Sequence, residues 1–158
     1  MDILKIFITV GTQDKPFKRL IDMAKELALN YDIYIQNGFT EYKGNIAHSE
    51  YLDKDEMSKK IKEADLIISH GGVGSITEAL KLNKKVIAVA RLAKYGEHQN
   101  DHQLEIIEAF KKKGYILAYD EQDDINKLVL ESLNFNPKPF ISHTLEFNQK
   151  LKDYLATF

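Results

Sequence analysis

The chain has 158 residues, 44% hydrophobic and 29% charged, with a formal net charge of −2 and no cysteine. That length suits one domain burying roughly 70% of its unfolded surface. The near-neutral charge offers nucleic acid no basic face, and the missing thiols exclude disulfides, a cysteine nucleophile and cysteine-ligated metal.

Residues 3–10 are an apolar, β-prone run reached directly from Met1-Asp2, a strand pattern rather than a secretion signal. No apolar run nears the ~20 residues of a membrane span, so a soluble, cytoplasmic chain is expected. The turn-like Gly11-Thr12-Gln13-Asp14-Lys15-Pro16 follows, and residues 17–29 carry Phe17, Leu20, Ile21, Ala24, Leu27 and Ala28 at helical spacing. Residues 31–36 alternate as a strand, Asn37-Gly38 opens a loop, and 45–48 reads as a short strand. Asp53 and Glu56 form a capping-box pattern ahead of a helix whose buried face holds Met57, Ile61 and Ala64. Residues 65–69 are a continuous apolar strand, as expected of a parallel strand covered on both faces. A helix over 75–82 ends at Asn83, a left-handed cap, and 85–90 is the next strand. Beyond a polar loop come a helix over about 100–113 stopping at Gly114, a strand over 115–119 and a helix over 123–133. After Asn136-Pro137-Lys138-Pro139, an amphipathic helix is expected over 141–157. Repeated strand–helix units predict an α/β fold: a doubly wound, mainly parallel sheet with helices on both faces, formed by residues 1–158 as one domain. Ligands of such sheets sit outside the C-terminal strand ends, where the loops 11–16, 70–75 and 91–103 fall.

The most informative of these loops is Ser69-His70-Gly71-Gly72-Val73-Gly74-Ser75-Ile76-Thr77-Glu78, in which an apolar strand passes through glycines into a helix. Such a junction offers backbone N–H groups and a helix N-terminus to an anion. No Gly-Lys-Ser/Thr follows, so it is not a P-loop, and Thr77 occupies the third glycine position of a G-x-G-x-x-G pattern. The expected ligand is phosphorylated rather than an NTP undergoing hydrolysis. Ser75 and Glu78 have capping-box spacing; Glu78 either caps the helix or reaches a ribose diol. His70 beside the glycines reads first as a structural hydrogen-bonding residue. Gly11-Thr12 can hold a phosphate or form an ordinary strand–helix turn. The loop from Arg91 to Gln103 holds two His, one Asp, one Glu, two Gln, one Asn, one Arg and one Lys, a set suited to a polyhydroxylated ligand such as a sugar. His98 and His102, four apart, pose a zinc reading on one helix face, against solvated histidines with Asp101 as the cap. Tyr42, Tyr51 and Tyr95 can stack on a base or sugar or simply pack.

Together, Phe7-Ile8-Thr9-Val10-Gly11-Thr12 with Pro16-Phe17, Ala64 to Ser75 with Glu78-Ala79-Leu80, and Arg91 to Gln103 resemble the C-terminal, nucleotide-sugar-binding domain of glycosyltransferase family 28. The resemblance is to stand-alone subunits: the bacterial exopolysaccharide and capsule β-1,4-galactosyltransferase type, and the soluble subunit of the eukaryotic UDP-GlcNAc transferase making dolichol-linked chitobiose. Lys94-Tyr95-Gly96-Glu97-His98 with Asp101-His102-Gln103 looks most like the bacterial branch.

The resemblance implies a Rossmann-like half of a GT-B fold that binds a UDP-sugar without metal or other cofactor and transfers the hexose with inversion to a lipid-linked saccharide. On this analogy Gly11 and Thr12 line the diphosphate side, and Gly72, Gly74 and Ser75, beside His70, hold the phosphates. Glu78 binds the ribose, Asp101, His102 and Gln103 address the sugar, and the base lies near Tyr51-Leu52. The acceptor-binding half of the family pattern is missing from this sequence. The general base is therefore expected on a membrane-anchored partner subunit, with His98 and His102 as candidates here, and the chain is expected peripherally at the inner face of the membrane. Phe147, Leu151, Tyr154, Leu155 and Phe158 form a stripe that either docks the partner or packs on the chain's own sheet. Two other readings remain: a non-catalytic activator of a partner transferase, and a UDP-sugar epimerase acting alone.

Overall fold

The computed structural model describes residues 3–140; the expected helix over 141–157 and its stripe lie outside them. Six strands form one parallel sheet: β1 (Lys5–Thr9), β2 (Asp32–Gln36), β3 (Ala47–Ser49), β4 (Leu66–Ser69), β5 (Lys85–Ala88) and β6 (Leu117–Ala118). Their order is β3-β2-β1-β4-β5-β6. Helices α1 (Lys18–Leu27), α2 (Lys54–Glu63), α3 (Val73–Lys81), α4 (His102–Lys112) and α5 (Ile125–Asn134) connect them.

The strands alternate sides, as their two-residue period requires. Ile6, Ile8, Leu66, Ile68 and Ile87 face a core completed by Leu20, Leu27 and Val129 of α1 and α5. Phe7, Ile67, Val86 and Ala88 face the other core, with Ile61, Ile76, Leu80, Ile106 and Phe110 of α2, α3 and α4. Both faces are covered, so the central strands need not alternate in polarity.

The strand order reverses between β1 and β4, which pair in register from Ile6↔Leu66 to Thr9↔Ser69. The chain leaves β1 for α1 on one face and leaves β4 for α3 on the other. The two departing loops therefore part and open a crevice at their strand ends.

Several boundaries differ from the sequence reading. α3 starts two residues early because Gly71, at φ +90°, turns the chain in one step and Gly72 caps the helix. The final strand shrinks to Leu117–Ala118, with Tyr115 and Ile116 buried beside it. α4 begins at His102, not near 100, because Asn100 Oδ1 accepts the His102 amide (3.0 Å). Asn83 takes the left-handed conformation (φ +60°) and Gly114 follows α4 at φ +77°, as read. Asp53 caps α2 by accepting from the Glu56 amide at 2.8 Å.

Candidate functional site

The crevice contains a cavity of about 380 Å³ lined by the loop after β1, the glycine-rich junction and α2. Gly11, Thr12, His70, Gly72, Gly74, Ser75 and Glu78 all face it, so the structure brings seven of the expected binding residues together. Gln13, Gln36, Leu52, Asp53, Lys54 and Met57 complete its walls.

Its chemistry begins at the α3 terminus. The first intrahelical hydrogen bond runs from the Ile76 amide to the Gly72 carbonyl (3.1 Å), so the Val73, Gly74 and Ser75 amides precede the ladder. Among the described residues, no side chain caps this end. That overturns the Ser75–Glu78 capping box. With Gly72 as the cap, Ser75 lies inside the first turn and Glu78 a turn further along. The Glu78 carboxylate instead accepts from Ser58 Oγ at 2.7 Å, an α2–α3 contact that leaves it on the cavity wall. A helix N-terminus with uncapped amides favours an anion.

His70 forms the floor. Its ring lies where a Cβ at Gly11 or Gly72 would stand, which is why both positions need glycine. Gly11 is also at φ +82°. His70 is 7% exposed, and its Nδ1 has no hydrogen-bond partner among the described residues. The structural hydrogen bond expected of His70 is therefore not made through Nδ1 among those residues. Burial, with smaller contributions from Arg91 and His98, pushes its pKa down to about 3, so the ring is neutral at pH 7.

Gln36, at the end of β2, fixes the loop opposite. Its Oε1 accepts from Thr9 Oγ1 and the Gly11 amide (3.2 Å), while its Nε2 donates to the carbonyls of Gly11 (3.1 Å) and Glu50 (2.7 Å). Nothing in the strand's alternation marked this residue. Its role depends on β2 pairing with β1 so that Thr9 stands opposite Gln36.

A second cavity of about 580 Å³ adjoins the first, sharing Gln13, Gly72 and Gly74, and adds His98, Gln99, Asn100, Gln103 and Ile106. Gln103 is buried and its Oε1 accepts the Arg91 amide at 3.1 Å. Asp101 and His102 stand apart from the lining of both cavities. The Asp101 carboxylate accepts the Ala93 amide (3.0 Å) and does not cap α4.

His98 precedes α4 and His102 begins it, so the two do not share a helix face. Among the described residues, no three His, Asp or Glu side chains gather as a metal-holding group. Tyr95 donates to Glu121 (2.8 Å) beneath Arg19, and Tyr42 accepts the Ile46 amide (3.0 Å). Tyr42 packs against the core as in its packing reading, whereas Tyr95 is 50% exposed.

A parallel sheet in this order, with uncapped helix amides at the switch point, defines a Rossmann-like domain, and its structural neighbours are GT-B glycosyltransferases. The chain belongs to glycosyltransferase family 28, whose C-terminal domain matches residues 5–157. It is 41% identical over 63 residues to the UDP-N-acetylglucosamine transferase subunit ALG13 of Candida albicans, covering 40% of this chain and 20% of that protein. Over 97 residues it is 31% identical to the UDP-N-acetylglucosamine--N-acetylmuramyl-(pentapeptide) pyrophosphoryl-undecaprenol N-acetylglucosamine transferase of Clostridium tetani, covering 60% and 25%. The matched stretch is thus a quarter or less of either relative. Among solved structures, the fold is shared with an ALG13 solution structure (TM-score 0.59, 22% identity, 95% of this chain and 96% of that one). It is also shared with the glycotransferase of kitacinnamycin (TM-score 0.62, 16% identity, 98% and 39%).

Proposed function

We propose that this chain is the donor-binding subunit of a two-part, inverting glycosyltransferase that takes a hexose from a UDP-sugar. The observation that carries this reading is the crevice between β1 and β4, where Gly74 and Ser75, whose amides precede the α3 ladder, line the same cavity as Glu78 and the buried His70. Amides and a helix N-terminus suit the diphosphate and stabilise it as it leaves, a role that needs no metal. Glu78, steadied by Ser58, suits the ribose hydroxyls. The adjoining cavity, with His98, Asn100 and Gln103, suits the hexose.

The hexose is galactose or N-acetylglucosamine and the acceptor a lipid-linked saccharide of exopolysaccharide or capsule synthesis. The Lys94–His98 segment with Asp101-His102-Gln103 supports the bacterial branch. The Clostridium tetani relative, by its name, acts on a pyrophosphoryl-undecaprenol compound. The word "subunit" in the ALG13 relatives' names supports a partner. That partner anchors the pair at the inner membrane face and supplies the acceptor site and general base. Among the described residues, no helix is long and apolar enough to cross a membrane.

The test is an NMR titration of the chain with UDP, UDP-galactose and UDP-N-acetylglucosamine in EDTA. Shifts centred on Gly11, Gly72–Glu78 and Gln103 are expected, with Kd on the order of 0.1–1 mM for one wall of a cleft. No shifts, with or without the partner subunit, would refute donor binding and leave an activator.

A further inference from the structure

Arg91 is the largest of the fully buried side chains (0% exposed), yet no ligand contact proposed above uses it. Its guanidinium donates to the carbonyls of Val10, Lys15 (2.8 Å) and Glu97 (3.0 Å). Its Nε has no hydrogen-bond partner among the described residues, and the Phe17 ring lies 5.0 Å from Cζ. The Glu97 carboxylate goes elsewhere: it accepts from Arg19 Nε (3.0 Å), Arg19 Nη2 (2.8 Å) and the Leu92 amide (2.9 Å). Arg19 also donates to the Ala90 carbonyl at 2.9 Å.

A buried cation bonded to carbonyls is a poor device for stability alone, since an apolar side chain of similar volume commonly serves as well. What the guanidinium supplies is geometry: a rigid planar fork whose N–H groups span fixed directions, which a lysine ammonium cannot reproduce. Those directions join two loops. Val10 directly precedes Gly11 and Lys15 lies two residues past Gln13, whereas Glu97 directly precedes His98. Gln13 and His98 both line the second cavity, and the Arg91 amide also holds Gln103. Burial lowers the Arg91 pKa only to about 10, so the fork keeps its charge at neutral pH.

We propose that Arg91, steadied by the Arg19–Glu97 ion pair, is the positioning residue that sets the separation of the loops 11–15 and 97–103 on either side of the donor hexose. This rests on the donor-binding reading and adds to it the part that distinguishes a UDP-sugar from UDP.

The test compares Arg91→Lys, Arg19→Gln and, as a destabilised control in α5, Leu128→Ala. Two quantities are read: affinities for UDP and for the tighter-binding of UDP-galactose and UDP-N-acetylglucosamine, and backbone amide exchange without ligand. Arg91→Lys is expected to weaken the UDP-sugar roughly tenfold but UDP less than about threefold. Arg19→Gln should move the same ratio less, and Leu128→Ala should lower stability and leave it unchanged. A purely structural role would not move that ratio, so an unchanged ratio in both arginine variants overturns the proposal. If Arg91→Lys does not fold, the partly exposed Arg19→Gln decides. If the wild type binds neither ligand, the donor reading fails and the exchange data judge the brace separately. Faster exchange confined to residues 11–15 and 97–103 upholds it, and uniform loosening overturns it.

Discussion

Replacing Gly74 with valine separates ligand binding from folding. A Cβ built at Gly74 meets nothing within 4 Å among the described residues, in contrast to Gly72, where it would stand 2.5 Å from His70 Cε1. Gly74 lies in the first turn of α3 and lines the cavity. In a helix, valine is favoured over glycine by a few tenths of a kcal/mol, so stability should hold or rise slightly, moving Tm by about 1 °C. The added methyls project where a diphosphate must come to reach the Gly74 amide. Losing one hydrogen bond to a charged group costs about 1.5–3 kcal/mol, or roughly ten- to hundredfold in Kd. Calorimetric titration with UDP, paired with a thermal melt, reads both quantities. Gly72→Ala is the contrast: it must displace a buried ring, so it should lose about 1–3 kcal/mol of stability. A folded Gly74→Val variant with wild-type affinity for UDP would refute the placement of the phosphates.

Three further outcomes follow from the same geometry. Glu78→Ala should weaken UDP about tenfold, and it should abolish any preference for UDP over its 2′,3′-dideoxy analogue; equal wild-type affinity for the two would exclude a ribose contact. His70 should make stability fall with acidity. Its folded pKa, about 3, lies below the ordinary 6.5, so the unfolded chain takes up the proton first as pH drops. Stability from this group is therefore complete above pH 6.5 and declines by about 1.4 kcal/mol per pH unit below it, until about pH 3. His70→Gln should lose one proton's worth of that slope, and parallel urea-midpoint curves for the two proteins between about pH 7 and pH 5 would contradict it. Finally, transfer by the chain with its partner subunit should be unchanged in EDTA; loss restored by a divalent ion would place a metal in the reaction.

The order of strands and helices was legible from local sequence, because strand and helix periodicities, glycine stops and the Asp53 cap are interactions within a few residues. The glycine junction after residues 65–69 was legible as a strand-to-helix turn for the same reason: a strand end, a left-handed glycine and a helix start are consecutive. What failed locally was Ser75–Glu78. A capping box is defined by where the first free amide lies, and Gly71's turn moved the cap from Ser75 to Gly72, three residues upstream.

Only the tertiary structure decided the rest. Placing β1 beside β4, although they are 57 residues apart from Thr9 to Leu66 in sequence, brings Gly11 onto His70 and makes that glycine necessary. Glu78 acquires Ser58 and Gln36 acquires Gly11 through contacts separated by 20 and 25 residues. Arg91 reaches Val10 across 81 residues. No local pattern encodes such partners. A buried polar side chain must be satisfied by whatever groups the packed sheet brings to it, and those groups exist only once the strand order is set.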